Sequence, residues 1–100
     1  MSNVIKIKTS IKVMPQTLTP EEVFSCDWVG LARFDDLGDV EWDATARFRR
    51  SESRSMCSKT AQEAMDKALR PFAWQGDAGF ASLVKDALEQ AEEVEREAHR

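Results

Sequence analysis

At 100 residues, with 42% hydrophobic and 32% charged side chains, the chain is long enough to build one apolar core without a metal or disulfide staple. Its net charge of -4 argues against broad nucleic-acid binding, which needs clustered Lys and Arg, and favours a protein partner with a basic surface. Cys26 and Cys57 lack a neighbouring second pair or a nearby His, so they read as ordinary thiols of a reducing compartment rather than zinc ligands or a disulfide.

No apolar run approaches the roughly 18 residues of a membrane span, and Met1 to Lys6 lacks the basic-then-apolar order of a signal peptide. A soluble, cytoplasmic protein is expected. Residues 4–13 alternate, with Ile5, Ile7, Ile11 and Val13 on one side and Lys6, Lys8, Ser10 and Lys12 on the other, which predicts a half-buried strand. A helix start follows. Thr19 is its N-cap, Pro20 occupies the first helical position, Glu22 completes a capping box, and Leu18 faces Val23 as a staple. This helix ends near Asp27 and is too short to nucleate alone, so Val23 and Phe24 are expected to dock on the sheet.

Residues 28–35 and 39–49 predict a hairpin. A three-residue loop, Asp36-Leu37-Gly38, with Gly38 left-handed in a bulge, pairs Asp35 with Asp39, Phe34 with Val40, Ala32 with Trp42, Gly30 with Ala44 and Trp28 with Ala46. That register gathers both Trp residues on one apolar face. It turns Arg33 outward opposite Glu41 and leaves Val29 and Leu31 on the charged face. With a helix between strands one and two, the first strand is expected parallel to the second and beside the third, giving the order 2-3-1. Lys6, Lys8 and Lys12 then neighbour Glu41 and Asp43.

Residues 50–58 are polar and aperiodic, which fits either a loop or a fourth edge strand. Thr60 with Glu63 opens a helix whose Ala61, Ala64, Met65, Ala68, Leu69 and Phe72 share a face before Pro71 stops it. Asp77 caps the last helix, which places Phe80, Leu83, Val84, Ala87, Leu88, Ala91, Val94 and Ala98 on one stripe. Its first three turns are core-forming, and residues 91–100 are expected to fray. The fold class is therefore α+β in one domain: an antiparallel sheet of three or four strands, a short helix after strand one, and two C-terminal helices on one face.

The catalytic inventory is thin, since the lone His99 is penultimate and Tyr is absent. No enzyme, cofactor or metal is expected: the glycines are scattered, and Asp36 to Asp43 lacks the spacing of a calcium loop. Asp35, Asp36, Asp39, Glu41 and Asp43 cluster at a wet hairpin tip and read as turn-forming and solvating. The last forty residues hold nine acidic and five basic side chains, against nine of each before them. Asp86, Glu89, Glu93 and Glu97 form an acidic stripe on the last helix, and like charges at that spacing repel. Such a stripe, with Asp36 and Asp39, suits a Lys- and Arg-rich partner. Val29 and Leu31 are candidate apolar anchors beside Arg47 and Arg49, and the turn residue Trp74 either plugs the end of the core or serves as an exposed anchor.

Arg47, Arg49, Arg50, Arg54 and Lys59 form the basic run, with Arg47 and Arg49 expected on one sheet face. A hairpin, this run, and Ser58-Lys59-Thr60-Ala61-Gln62-Glu63-Ala64 at a helix start resemble the second half of double-stranded RNA binding domains over about a third of the chain. The resemblance implies phosphate contacts at the helix start. This chain offers only Lys59 there, before Gln62, Glu63 and Asp66, and begins with a strand where that family has a helix. In size and charge the chain is also similar to small phage-encoded inhibitors, anti-CRISPR proteins among them, which implies a non-catalytic protein that occludes a basic surface of a larger complex. Protein binding is thus the leading expectation, with nucleic-acid binding through the basic run as the alternative.

Overall fold

Two antagonistic patterns, strand alternation through residue 58 and helical periodicity after it, divide the chain into a sheet and a helical layer. The computed structural model describes residues 6–16 and 18–99, so Ile5 of the expected first strand lies outside the described residues. The elements are β1 (Lys6–Val13), α1 (Pro20–Ser25), β2 (Trp28–Asp36), β3 (Asp39–Phe48), β4 (Ser51–Ser58), α2 (Ala61–Leu69) and α3 (Ala78–Ala98). The strands form one four-stranded antiparallel sheet in the order β1-β2-β3-β4. Helix α2 packs on β3 and β4, and α3 on β1 and β2.

The expected order 2-3-1 is corrected: β1 runs antiparallel to β2, with Ile11 opposite Leu31 and Val13 opposite Val29, and the place beside β3 is taken by β4. A parallel crossover needs a helix that covers the sheet. The six residues of α1 bury none of their side chains, and Phe24 stays 79% exposed, so the expected docking of Val23 and Phe24 is also overturned. The α1 cap is as predicted. Thr19 accepts the Glu22 N–H at 3.3 Å and the Glu22 carboxylate accepts the Thr19 N–H at 3.3 Å.

The hairpin register differs by one residue from the expected one. Asp36 pairs with Asp39 across a two-residue loop, Leu37-Gly38, in which both residues have positive φ, 53° and 93°. Such a loop matches the right-handed twist of the flanking strands, and the Asp35 carboxylate holds it by accepting the Gly38 N–H at 2.8 Å. One residue of slip inverts the face of every β2 side chain relative to β3. Leu31 therefore opposes Ala44, Arg33 opposes Trp42, and Phe34 opposes Glu41. Trp42 and Phe34 lie on opposite sides of the sheet.

The core joins Ile11, Val13, Val29, Leu31, Trp42, Ala44, Ala46 and Phe48 of the sheet to Ala64, Met65, Ala68, Leu69, Phe80, Leu83, Val84, Ala87 and Ala91 of the helices. Alanines on both helices allow close approach, and burial of each large apolar side chain contributes roughly 1.5–3 kcal/mol. Phe48 sits 4.8 Å from Phe80 and 6.0 Å from Phe72, centroid to centroid. The Asp77 carboxylate caps α3 by accepting the Phe80 N–H at 2.8 Å, and Thr60 caps α2 through the Glu63 N–H at 3.1 Å. The Glu63 carboxylate accepts from the Lys59 N–H instead of closing a box on Thr60.

Residues 51–58 form a strand, which settles their assignment. β4 turns Ser51, Ser53, Ser55 and Ser58 toward the helices, and the Ser55 hydroxyl donates to the Ala64 carbonyl at 2.6 Å. Between Trp42 and Ala44 the register shifts, and Cys57 takes a positive φ of 59° with its N–H on the Asp43 carboxylate at 3.0 Å.

Candidate binding faces

Burial of Arg33 decides which residues each side of the sheet presents. Its side chain lies on the helix face, 5% exposed, where its Nε donates to Glu95 Oε1 at 2.8 Å. The same Glu95 oxygen accepts from Trp42 Nε1 at 3.0 Å, and His99 Nε2 stands 3.2 Å from the other oxygen. Asp35 adds a longer contact to Arg33, 3.4 Å. The hydrogen bond from Arg33 holds the Glu95 carboxyl below the usual carboxylate range, and the same bond raises Arg33. Glu95 follows Ala87 and Ala91 at four-residue intervals on the core stripe of α3. A carboxylate on an apolar stripe was the available sequence signal for a buried basic partner. Glu95 lies in the last third of α3, which runs to Ala98.

Val29 and Leu31, expected as exposed anchors, are 0% and 3% exposed and belong to the core. This corrects their assignment as partner-binding residues, and the cause is the hairpin register. Trp74 is half-buried with its ring edge-on to Phe80 at 5.9 Å, so it closes the end of the core rather than standing free.

The acidic stripe is where helical spacing puts it. Asp86, Glu89, Glu93 and Glu97 are all exposed along α3, and Arg96 Nη2 pairs with Glu93 at 2.8 Å. At the hairpin tip Asp36 is half-buried, and exposed Asp39 lies 3.8 Å from Lys59 Nζ. The basic run is not one patch. Arg47 and Arg54 lie on the open side of the sheet, with Arg47 opposite Glu52, while Arg49 and Arg50 form the β3–β4 turn with positive φ at both residues. The Arg49 guanidinium packs on the Phe48 ring at 4.9 Å, so it does not share the face of Arg47 as expected.

Alternation places Trp28, Gly30, Ala32 and Phe34 of β2 on the side of the sheet away from the helices. Lys6, Lys8, Ser10 and Lys12 of β1 flank them on one side, and Glu41, Asp43, Thr45 and Arg47 of β3 on the other. The lysines fold over the aromatic rings: Lys12 Nζ is 4.5 Å from the Trp28 ring, and Lys6 and Lys8 lie 5.1 and 5.6 Å from Phe34. Trp28 leans over Gly30, where an added Cβ would stand 3.2 Å from the ring. Between the two rings runs a shallow trough of about 360 Å3, floored by Gly30 and Ala32 and rimmed by Lys8, Lys12, Thr45 and Arg54.

Hydrogen bonding to Glu41 raises the Cys57 thiol, which lowers its thiolate population. Among the described residues no group of three His, Cys, Asp or Glu is placed to hold a metal ion, and no helix is long and apolar enough to cross a membrane. The chain matches no family model, no curated protein and no solved structure. Function therefore rests on the faces themselves.

Proposed function

We propose that this chain is a non-catalytic protein-binding domain that docks the exposed acidic face of α3 on a basic surface of its partner. The observation that supports this reading is the row Asp86, Glu89 and Glu93, exposed along a helix whose opposite side is committed to the core and to the Glu95 brace. Like charges four residues apart cost a helix a few tenths of a kcal/mol per pair, so holding them in line favours a use for the summed negative potential. A small inhibitor of the phage type, acting in the cytoplasm by covering a basic surface of a larger complex, is the form of this function that size and charge suggest.

The test begins with affinity purification of the partner on the full chain, followed by stopped-flow association of that partner with the wild type and with Glu89→Lys/Glu93→Lys. Electrostatic steering predicts at least a tenfold loss of association rate at low salt, shrinking as salt screens the field. An association rate that the double reversal leaves unchanged refutes the reading.

A further inference from the structure

The helix side of the molecule is acidic, but the opposite side of the sheet carries a chemistry that the acidic face does not explain. Along the β1–β2 half of that side stand Lys6, Lys8 and Lys12, with Asp36 opposite Lys6, while β3 adds Glu41 and Asp43 to the far side of β2. Among the described residues none of the three lysines makes an ion pair; each rests on an aromatic ring instead. Trp28 and Phe34 are six residues apart on one strand, about 20 Å at the ~3.4 Å rise of an antiparallel strand. Each ring is half-buried with a lysine ammonium over it, and the Trp28 ring also lies against Gly30.

We infer that this open face binds single-stranded RNA, whose bases stack on Trp28 and Phe34 while its phosphates take the ammonium groups of Lys6, Lys8 and Lys12. The charge complementarity is specific to a chain that offers both a π-face and an anion at each unit. An acidic peptide supplies only the anions, and a duplex hides its base faces within the stack. A base that stacks on either ring displaces the lysine lying over it. The displaced ammonium moves from the ring to a phosphate, and it has no carboxylate to abandon. Gly30 gives the Trp28 ring its seat, and the small side chain of Ala32 leaves the trough open between the two rings. Its hydroxyl and carboxylate rim, from Ser10, Thr45 and Asp43, offers hydrogen-bond partners to a ribose 2′-hydroxyl.

The inference concerns the face opposite α3 and does not depend on the acidic face having a partner. Its test is fluorescence anisotropy of a fluorescein-labelled 12-nucleotide oligouridine, the same-length oligothymidine, an RNA duplex and polyglutamate, each titrated with the full chain at about 50 mM and 300 mM salt. Expected are tightest binding to oligouridine and a log-log salt slope near -2, from three phosphates at about 0.7 each. Lys8→Glu/Lys12→Glu, two exposed positions whose change leaves the core untouched, should weaken binding at least tenfold. Phe34→Leu should weaken it about tenfold through lost stacking. Glu89→Gln/Glu93→Gln on the other side of the molecule should leave it within about twofold, which separates this face from the acidic one. No binding of oligouridine at low salt overturns the inference. So does equal or tighter binding of the duplex, the oligothymidine or polyglutamate, or an affinity indifferent to Lys8→Glu/Lys12→Glu.

Discussion

Removing the Glu95 carboxylate isolates the contribution of the brace between α3 and the sheet. In Glu95→Ala the Arg33 guanidinium keeps only Asp35 at 3.4 Å, and Trp42 Nε1 loses its acceptor on a residue that is 1% exposed. Breaking a buried ion pair from one side costs about 3–5 kcal/mol, because the remaining charge is left without compensation. Glu95 is itself 34% exposed, so water enters where its carboxylate stood, and the cost falls to about 2–3 kcal/mol. For a domain of this size that lowers Tm by about 10–20 °C. Urea unfolding followed by circular dichroism at 222 nm measures it, with a midpoint shift of about 1–2 M. Arg33→Met/Glu95→Leu, which removes both charges, should recover at least half of the loss. The pH dependence has a definite sign. A carboxyl held below its usual value in the folded chain contributes stability above its unfolded value of about 4.3, and that contribution disappears as pH falls through the folded value. Glu95→Gln should therefore remove part of the acid sensitivity below about pH 4.3. A Glu95→Ala variant within about 0.5 kcal/mol of wild type, or a double variant less stable than the single, refutes the reasoning.

Two further predictions concern the sheet. Leu37 holds a φ of 53° while 83% exposed, so Leu37→Asn should stabilise by about 0.5–1 kcal/mol in the same urea assay, because Asn tolerates the left-handed region that a two-residue loop requires. A destabilising result indicates a different turn. Among the described residues the buried Ser58 hydroxyl finds no hydrogen-bond partner, so Ser58→Ala should be neutral or stabilising by up to about 1 kcal/mol, and a loss above about 1 kcal/mol refutes this.

Local chemistry was legible wherever the determinants lie within a few residues. The caps at Thr19, Thr60 and Asp77, the strand bounds near 28–36 and 39–48, and the acidic row of α3 follow from short-range patterns. The hairpin register was not legible, because two alternatives differed by whether Arg33 faced water or the core. Keeping an arginine wet is the sound local choice, and it fails here because Glu95, 62 residues away, supplies the buried partner. That one inversion carried Val29 and Leu31 from surface to core and moved Trp28 and Phe34 out to the open side. The strand order was lost for a related reason. A helix signal between strands suggested a crossover, while the shortness of α1 leaves it unable to cover the sheet on which a crossover depends.

The outermost strands bear on how the molecule behaves in a crowded solution. β1 carries Lys6, Lys8 and Lys12 on one face, and β4 is broken by the irregular backbone at Cys57. A second sheet that tried to extend the first would bring like charges together at one rim and meet mismatched amide spacing at the other. Fibrillar self-association is thereby discouraged at both rims, which leaves the broad side of the sheet able to keep its half-buried aromatic rings without the usual risk of precipitation.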